Sequence, residues 1–372
     1  MGVAPLRIAL VIERFEPAGG GVEGAAWRVA QGLAAAGDDV HVFARRGESC
    51  EAVTLHTLAV PSFWQPLRVL AFSRRAATAT RTGFDVVHSF SRTRHQDIYR
   101  AGGGSHADFL KRAYSPRAAR WRRLSPRHAI LLAMESGIFA DPSQLVQCNS
   151  EMVRDELQQR YGIKDRRLAV LANGIDLERF HPGLRAAHRA DVRRDLGVAE
   201  AIPAWLLAGS GFRRKGVETA LRALAAAQKS AELWIVGRDD PAPWRALASD
   251  LGVAERVRFL GHRSDMPAIY GAADALVLPT RYDAFANVCL EAAACGLPVL
   301  TTKANGAARW LDADRLTLED PEDWEGLAER LDELSDPECR ARWGGAARAK
   351  AEAQSWSRHI AQLRELYARV GR

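Results

Sequence analysis

The sequence predicts an α/β chain built of two doubly wound domains with parallel sheets. Short apolar runs alternate with helix-length amphipathic stretches, turn residues bound the runs, and the pattern occurs twice on either side of a turn-rich stretch. At 372 residues the chain exceeds what one compact core supports, so two domains are expected.

In the first half the runs at residues 7–12, 40–44, 53–58, 86–89 and 145–149 read as strands, with a helix at 22–36. In the second the strands fall at 205–208, 233–236, 257–260, 275–278 and 299–302, with a helix at 216–227. LANGIDLERFHPG, residues 171–183, is rich in turn formers and marks the switch between halves. The expected domains are therefore 1–170 and 171–354. Residues 355–372 carry an amphipathic helix at 356–370 that is expected to pack back on the first domain.

A hydrophobic share of 47% with 26% charged residues is that of an ordinary globular protein. The five cysteines are scattered and form no CxxC pair, which favours a reducing compartment over disulfides or structural zinc. No apolar run reaches the roughly 18 residues of a spanning helix. The first apolar run is interrupted by Glu13 and reads as a strand, not a leader; the Met-Gly start lacks the Ser or Thr of an acylation signal, since position 6 is Leu.

The net charge of +7 points to an anionic partner, and the charge is concentrated. Residues 109–128, FLKRAYSPRAARWRRLSPRH, hold Lys111, Arg112, Arg117, Arg120, Arg122, Arg123 and Arg127 with no acid among them. Tyr114, Trp121 and Leu124 lie between the cations, a mixture that suits an anionic membrane surface and equally a solvated basic face. No helix-turn-helix, zinc finger or RNP-like motif accompanies it, so nucleic acid is not expected as a partner.

Three loops carry the chemistry. In RYDAFANVCLEAAACGLPV, residues 281–299, a strand ends near Pro279 and a helix begins at Asn287, read as its N-cap, and stops at Gly296-Leu297-Pro298. Asp283 then sits in the loop above the sheet and Glu291 one turn into the helix, although the same spacing suits a turn former and an exposed helix residue. Pro17-Ala18-Gly19-Gly20-Gly21-Val22-Glu23 follows the first strand, and its glycines permit close backbone approach by a ligand. In Gly209-Ser210-Gly211-Phe212-Arg213-Arg214-Lys215-Gly216, Arg214 and Lys215 place two cations over the second sheet. A guanidinium and an ammonium there can hold phosphate.

DAFANVCLEAAACGLPV resembles the E-x7-E segment of the family 4 retaining glycosyltransferases, which have the two-domain GT-B fold. The likeness continues through GGGVE, NGIDLERF, GFRRKG, GHRSDMPAIYGAADALVLPT and a terminal helix containing SW. Within the family it is nearest to the lipopolysaccharide core glucosyltransferases, through DIYRAGGGSH, GSGFRRKGVETALRAL and GLPVLTTKANG. The resemblance implies two Rossmann-like domains facing across a cleft, the first taking the acceptor and the second the nucleotide-sugar.

It also implies roles. Arg214 and Lys215 would hold the donor diphosphate, Asp283 the sugar hydroxyls, and Glu291 the ribose. The backbone of Ala284, Phe285, Ala286, Asn287 and Val288 would surround sugar and phosphate, with Gly20 and Arg179 assisting and His106 near the reacting sugar. No cofactor is implied, and no metal: the Asp239-Asp240 pair is not expected to bind one. UDP-glucose as donor, a heptose of the lipid A core as acceptor, and a peripheral place on the cytoplasmic face of the bacterial inner membrane are further expectations. Other cell-envelope glycans or lipids as acceptors, or non-catalytic nucleotide-sugar or membrane binding, are the alternatives. Two features depart from the family pattern: Asp283 stands where Glu is usual, and Ala101-Gly102-Gly103-Gly104 lacks an acid that relatives often carry.

Overall fold

The structure, a computed structural model, describes residues 4–17, 21–61, 63–114 and 116–370. Two units form: Met1–Gly174 with Trp356–Arg372, and Ile175–Ser355. The division falls beyond the 170/171 boundary read from the sequence, and three contacts explain why. Leu171 N donates to Cys148 O, His359 bonds Ala172 O, and Arg100 bonds the Asn173 side chain, so this stretch is tied to the first unit.

The first unit has seven strands: β1 (Arg7–Phe15), β2 (Asp39–Gly47), β3 (Val53–Thr57), β4 (Val86–Ser89), β5 (Ile98–Ala101), β6 (Leu145–Cys148) and β7 (Leu168–Val170). They lie in the order β3-β2-β1-β4-β5-β6-β7, and every pair is parallel. Its helices are α1 (Gly21–Ala35), α2 (Gln65–Ala79), α3 (His106–Ala113), α4 (Pro116–Arg123), α5 (Pro126–Ala140) and α6 (Glu151–Tyr161), with the C-terminal helix Trp356–Ala368. Alternating residues of β1 face opposite layers. Ile8, Leu10 and Ile12 pack with Leu33 of α1 and with Ile360, Leu363 and Tyr367 of the C-terminal helix, while Ala9 and Val11 pack with Phe72 and Ala76 of α2. Such two-sided burial is why β1 is continuously apolar.

The C-terminal helix is held by polar contacts as well as by packing. The Tyr367 hydroxyl lies 2.8 Å from His88 Nδ1, Arg364 pairs with Asp38 at 3.0 Å, and His359 Nδ1 donates to Ala172 O at 2.8 Å. Burial pushes His359 from 6.5 down to about 4, outweighing the bond to Ala172. Between those two values an unfolded chain takes up a proton that the folded chain refuses, so stability falls as pH drops through this window. The fall in urea midpoint from pH 7 to 4.5 is expected to be smaller in His359→Gln than in the native chain; equal falls would refute this.

In the second unit β8 (Ala204–Ala208), β9 (Glu232–Val236), β10 (Val257–Gly261), β11 (Ala275–Leu278), β12 (Val299–Thr302) and β13 (Thr317–Leu318) form a parallel sheet in the order β10-β9-β8-β11-β12-β13. Helices include α7 (Leu184–Leu196), α8 (Phe212–Lys215), α9 (Val217–Ala226), α10 (Ala242–Asp250), α11 (Met266–Ala272) and α12 (Asn287–Ala294). Strand order reverses between β8 and β11. The connections leaving those two strands run to opposite sides and open a crevice at their carboxyl ends, where ligands bind in such sheets.

Candidate functional site

Both loops at that reversal carry the residues singled out above. After β8 the chain turns through Gly209, φ +131°, into α8; a Cβ at Gly209 would meet Lys215 Cε at 2.8 Å, so the glycine makes room for the lysine. A Cβ at Gly216 would lie 2.0 Å from Pro279 O, which brings this loop hard against the end of β11. Asp239 caps α8, accepting from Gly211 N at 2.7 Å and Phe212 N at 3.3 Å. Its carboxylate is thus occupied with backbone.

Arg214 and Lys215 both reach one carboxylate oxygen of the loop after β11. Arg214 Nη1 and Lys215 Nζ each lie 2.8 Å from Asp283 Oδ2, and Arg214 also donates to Tyr282 O and Ser210 O. Burial would raise the Asp283 carboxyl, but Lys215 and then Arg214 outweigh it and hold it below the usual carboxylate range. The backbone of Asp283 is pinned in turn: its N donates to Ala304 O at 2.9 Å and its O accepts from Gly306 N at 2.8 Å.

Glu291 lies on α12, where Tyr270 of α11 donates its hydroxyl to Oε2 at 2.8 Å. Burial raises its pKa against the opposing pull of Tyr270, Arg179 and Lys215. Burial likewise pushes the Tyr270 phenol well up, so it stays protonated as a donor. Arg179 is therefore close enough to Glu291 to act on it electrostatically. Ala284, Phe285 and Ala286 are buried, and Asn287 and Val288 are half-buried at the first turn of α12. Asn287 is not the N-cap: Ala286 holds that position, and Asn305 Oδ1 reaches in from beyond β12 to accept from Ala286 N at 3.2 Å.

In the first unit His106 opens α3, capped by Ser105, whose hydroxyl accepts from Asp108 N. His106 Nε2 lies 2.9 Å from His128 Nδ1, and its backbone N donates to Glu135 Oε2 at 2.7 Å. His128 and Glu135 are both on α5, seven positions apart and hence on one face. Burial pushes His106 down to about 4, with Arg92 adding to the effect, which leaves a neutral ring at neutral pH. Gly20 lies outside the described residues.

The basic segment is spread over the end of α3, all of α4 and the start of α5. Lys111, Arg117, Arg120 and Arg122 are exposed, as are Trp121 (76%) and Leu124 (72%). Arg112 is tied down, pairing with Glu156 at 3.1 Å, and the Arg122 guanidinium stacks 4.1 Å over the Tyr114 ring. Arg123 is the last residue of α4. No helix among the described residues is long and apolar enough to cross a membrane.

Glu135, Tyr270 and Asn305 were not anticipated. Glu135 carried a signal, as a lone acid in the apolar stretch AILLAMESGIFA; the other two gave none, since their partners are distant in sequence.

The pattern described as Glycosyltransferase Family 4 matches residues 19–179, and that described as Glycosyl transferases group 1 matches residues 203–336. A Burkholderia thailandensis protein named as a probable transglycosylase is 31% identical over 360 residues, covering 94% of each chain. The chain belongs to glycosyltransferase family 4. This glycosyltransferase is also 33% identical over 241 residues to the lipopolysaccharide glucosyltransferase WaaG of Escherichia coli K12, a match covering 62% of its own length and 64% of WaaG. A solved WaaG structure, 27% identical, superposes with a TM-score of 0.82 over 97% of the glycosyltransferase and 99% of that chain. The D-inositol 3-phosphate glycosyltransferase of Salinispora arenicola is 33% identical over 254 residues, covering 63% and 56%. The sequence matches to WaaG and to the inositol enzyme thus span less than two thirds of either relative. His106 lies within the first matched pattern, and Arg214, Lys215, Asp283 and Glu291 lie within the second.

Proposed function

We propose that the chain is a retaining hexosyltransferase moving glucose from UDP-glucose to a hydroxyl of a membrane glycolipid, a heptose of the lipopolysaccharide core. The observation that carries this reading is the Arg214–Asp283–Lys215 cluster at the strand-order reversal, with Glu291 one turn into the neighbouring helix. Both cations engage only Oδ2, so Oδ1 keeps its capacity to accept a sugar hydroxyl. Glu291, bonded to Tyr270 through Oε2, offers Oε1 to the ribose. Arg214 and Lys215 turn their remaining N–H groups to the diphosphate, supported by Arg179 and by the backbone from Ala284 to Val288. His106, in the first unit, holds a sugar hydroxyl. The first unit takes the acceptor and the second the donor.

The chemistry follows from these assignments. The C1–O bond to phosphate breaks, and the charge growing on the leaving diphosphate is met by Arg214 and Lys215. The acceptor oxygen bonds C1 on the same face and passes its proton to a departing phosphate oxygen, giving UDP and a glycoside of retained configuration. Both acids are committed to hydroxyl binding, so neither serves as a covalent nucleophile. The two cations supply the counter-charge that a metal would, and no cofactor takes part.

Arg117, Arg120 and Arg122 with Trp121 and Leu124, together with Lys111, Arg112 and Arg123, support docking on an anionic membrane at the cytoplasmic face of the inner membrane. Each cation contributes about 1 kcal/mol near such a surface. Neutralising Arg120, Arg122 and Arg123 together is expected to weaken binding to phosphatidylglycerol vesicles by about a hundredfold, and unchanged flotation would sink the membrane role. Transfer of labelled glucose from UDP-glucose to purified truncated core lipid, in excess EDTA, tests the activity. An α-linked product is expected; failure with core lipid alongside transfer to an inositol acceptor would reassign the acceptor.

A further inference from the structure

Arg100 is a buried guanidinium with no counter-charge among the described residues. It sits on β5 at 3% exposure, donates from Nη2 to Asn173 Oδ1 at 2.6 Å, and lies 5.3 Å over the Phe90 ring. Its Nε and Nη1 have no hydrogen-bond partner among the described residues, where no carboxylate pairs with it either. Two other buried arginines, Arg189 and Arg193, are both answered by Asp274, at 3.1 and 2.5 Å. Burying a cation is costly unless it is paired, and the neutral amide of Asn173 does not compensate a full charge. Burial accordingly pushes Arg100 down to about 10.

The neighbourhood is polar and lies at the ligand edge of the sheet. Arg100 is in register with Gln147 and His88 with Ile98, so all three polar side chains share the face covered by the C-terminal helix. His88 and Gln147 interact with each other through their side chains, and Asn149 Oδ1 has no partner among the described residues. Gly102 follows β5, and a Cβ there would lie 2.0 Å from Arg100 Nη1. The guanidinium therefore passes directly beneath Gly102. Next to it Gly103 is exposed, with nothing within 4 Å of a Cβ.

We infer that Arg100 takes an anionic group of the acceptor, a phosphoryl or carboxylate, entering over Gly102 and Gly103. The inference rests on the reading that the first unit takes the acceptor. A neutral hydroxyl would satisfy a hydrogen bond and leave the charge unanswered, whereas an anion answers both.

The test uses inorganic phosphate as probe and thermal unfolding of the full chain, comparing phosphate with chloride at matched ionic strength. Phosphate's general strengthening of burial is common to every variant and cancels between them. Because phosphate also suits Lys215, the measurement is made in Lys215→Gln. That chain is expected to keep a phosphate-dependent rise in Tm, which adding Arg100→Gln lowers and adding Arg100→Lys partly retains. No rise in Lys215→Gln, or a rise untouched by Arg100→Gln, overturns the inference. In the transfer assay Arg100→Gln is expected to raise KM about tenfold for a phosphorylated or carboxylated acceptor and to leave a neutral acceptor unchanged, the two anions separating the sources. Equal KM changes for charged and neutral acceptors overturn it as well. Should no transfer be found with any acceptor while the phosphate response still follows Arg100, the anion site stands and the proposed activity falls.

Discussion

Replacing Lys215 with Met is expected to lower kcat for the proposed glucosyl transfer by about 10²–10³-fold, the range for removing one electrostatic contact to a charge that develops in the transition state. Met keeps the length and apolar stem that pass Gly209, so packing is disturbed little. What is lost is an ammonium only 8% exposed, 2.8 Å from Asp283 Oδ2. In so dry a place it would act on the proposed leaving diphosphate far more strongly than an exposed lysine. The KM for UDP-glucose should change less than kcat, because charge on the diphosphate grows most as the bond breaks. A second readout follows from Asp283, whose carboxyl is held down by Lys215 ahead of Arg214. A depressed carboxylate keeps its charge until pH falls through its folded pKa, so losing Lys215 must move the acid limb of the rate profile to higher pH. Steady-state kinetics across pH decide the matter: a kcat within fivefold of the native value, or an unmoved acid limb, would show that Lys215 is not part of the donor machinery.

The architecture was legible where burial writes itself into composition. β11 occurs at the expected residues, 275–278, because a strand covered on both faces is apolar throughout (ALVL), and β4 (VVHS) and β12 (VLTT), at 86–89 and 299–302, were visible through their apolar first halves. β5, β7 and β13 were not anticipated. β5 reads IYRA, with Arg100 in the middle, while β7 and β13 are three and two residues long, too short for any period to show. At the site, the meeting of Arg214 and Lys215 with Asp283 follows from a rule of parallel sheets, that loops leaving adjacent strands of opposite connection share a crevice. Satisfaction of the helix α12 terminus could not be read in the same way. Its first turn begins after Ala286 and is served by Asn305, nineteen residues on, so no local signal exists. The basic segment was visible as a charge run, but the pairing of Arg112 with Glu156 joins residues from different helices.

The largest stability effect is expected at Glu135, a fully buried carboxylate that holds several elements together. It pairs with Arg92 at 3.1 Å, accepts from the Tyr161 hydroxyl at 2.6 Å and from Ser105 Oγ at 3.3 Å, and takes the backbone N–H of His106 and Ala107 at 2.7 and 3.4 Å. An acid over the first turn of α3 is also favoured by the helix dipole. Glu135→Ala removes the shared acceptor and leaves donors on α3, α6 and the loop after β4 without it, a change that costs about 3–5 kcal/mol when a buried pair is broken. For a unit of this size that corresponds to a fall in Tm of roughly 6–20 °C. Glu135→Gln keeps an acceptor oxygen but not the charge, so its fall should be smaller, and the order native, Gln, Ala separates the charge from the hydrogen bonds. Calorimetry should place the loss in the first unit, with slowed exchange protection lost first at the amides of α3. A Tm within about 2 °C of the native value for the Ala variant would mean that the cluster contributes nothing net. Where the effect appears, the consequence reaches His106: its ring is placed by His128 and its backbone by Glu135, both from α5, so loosening the carboxylate frees the residue proposed to hold the reacting sugar.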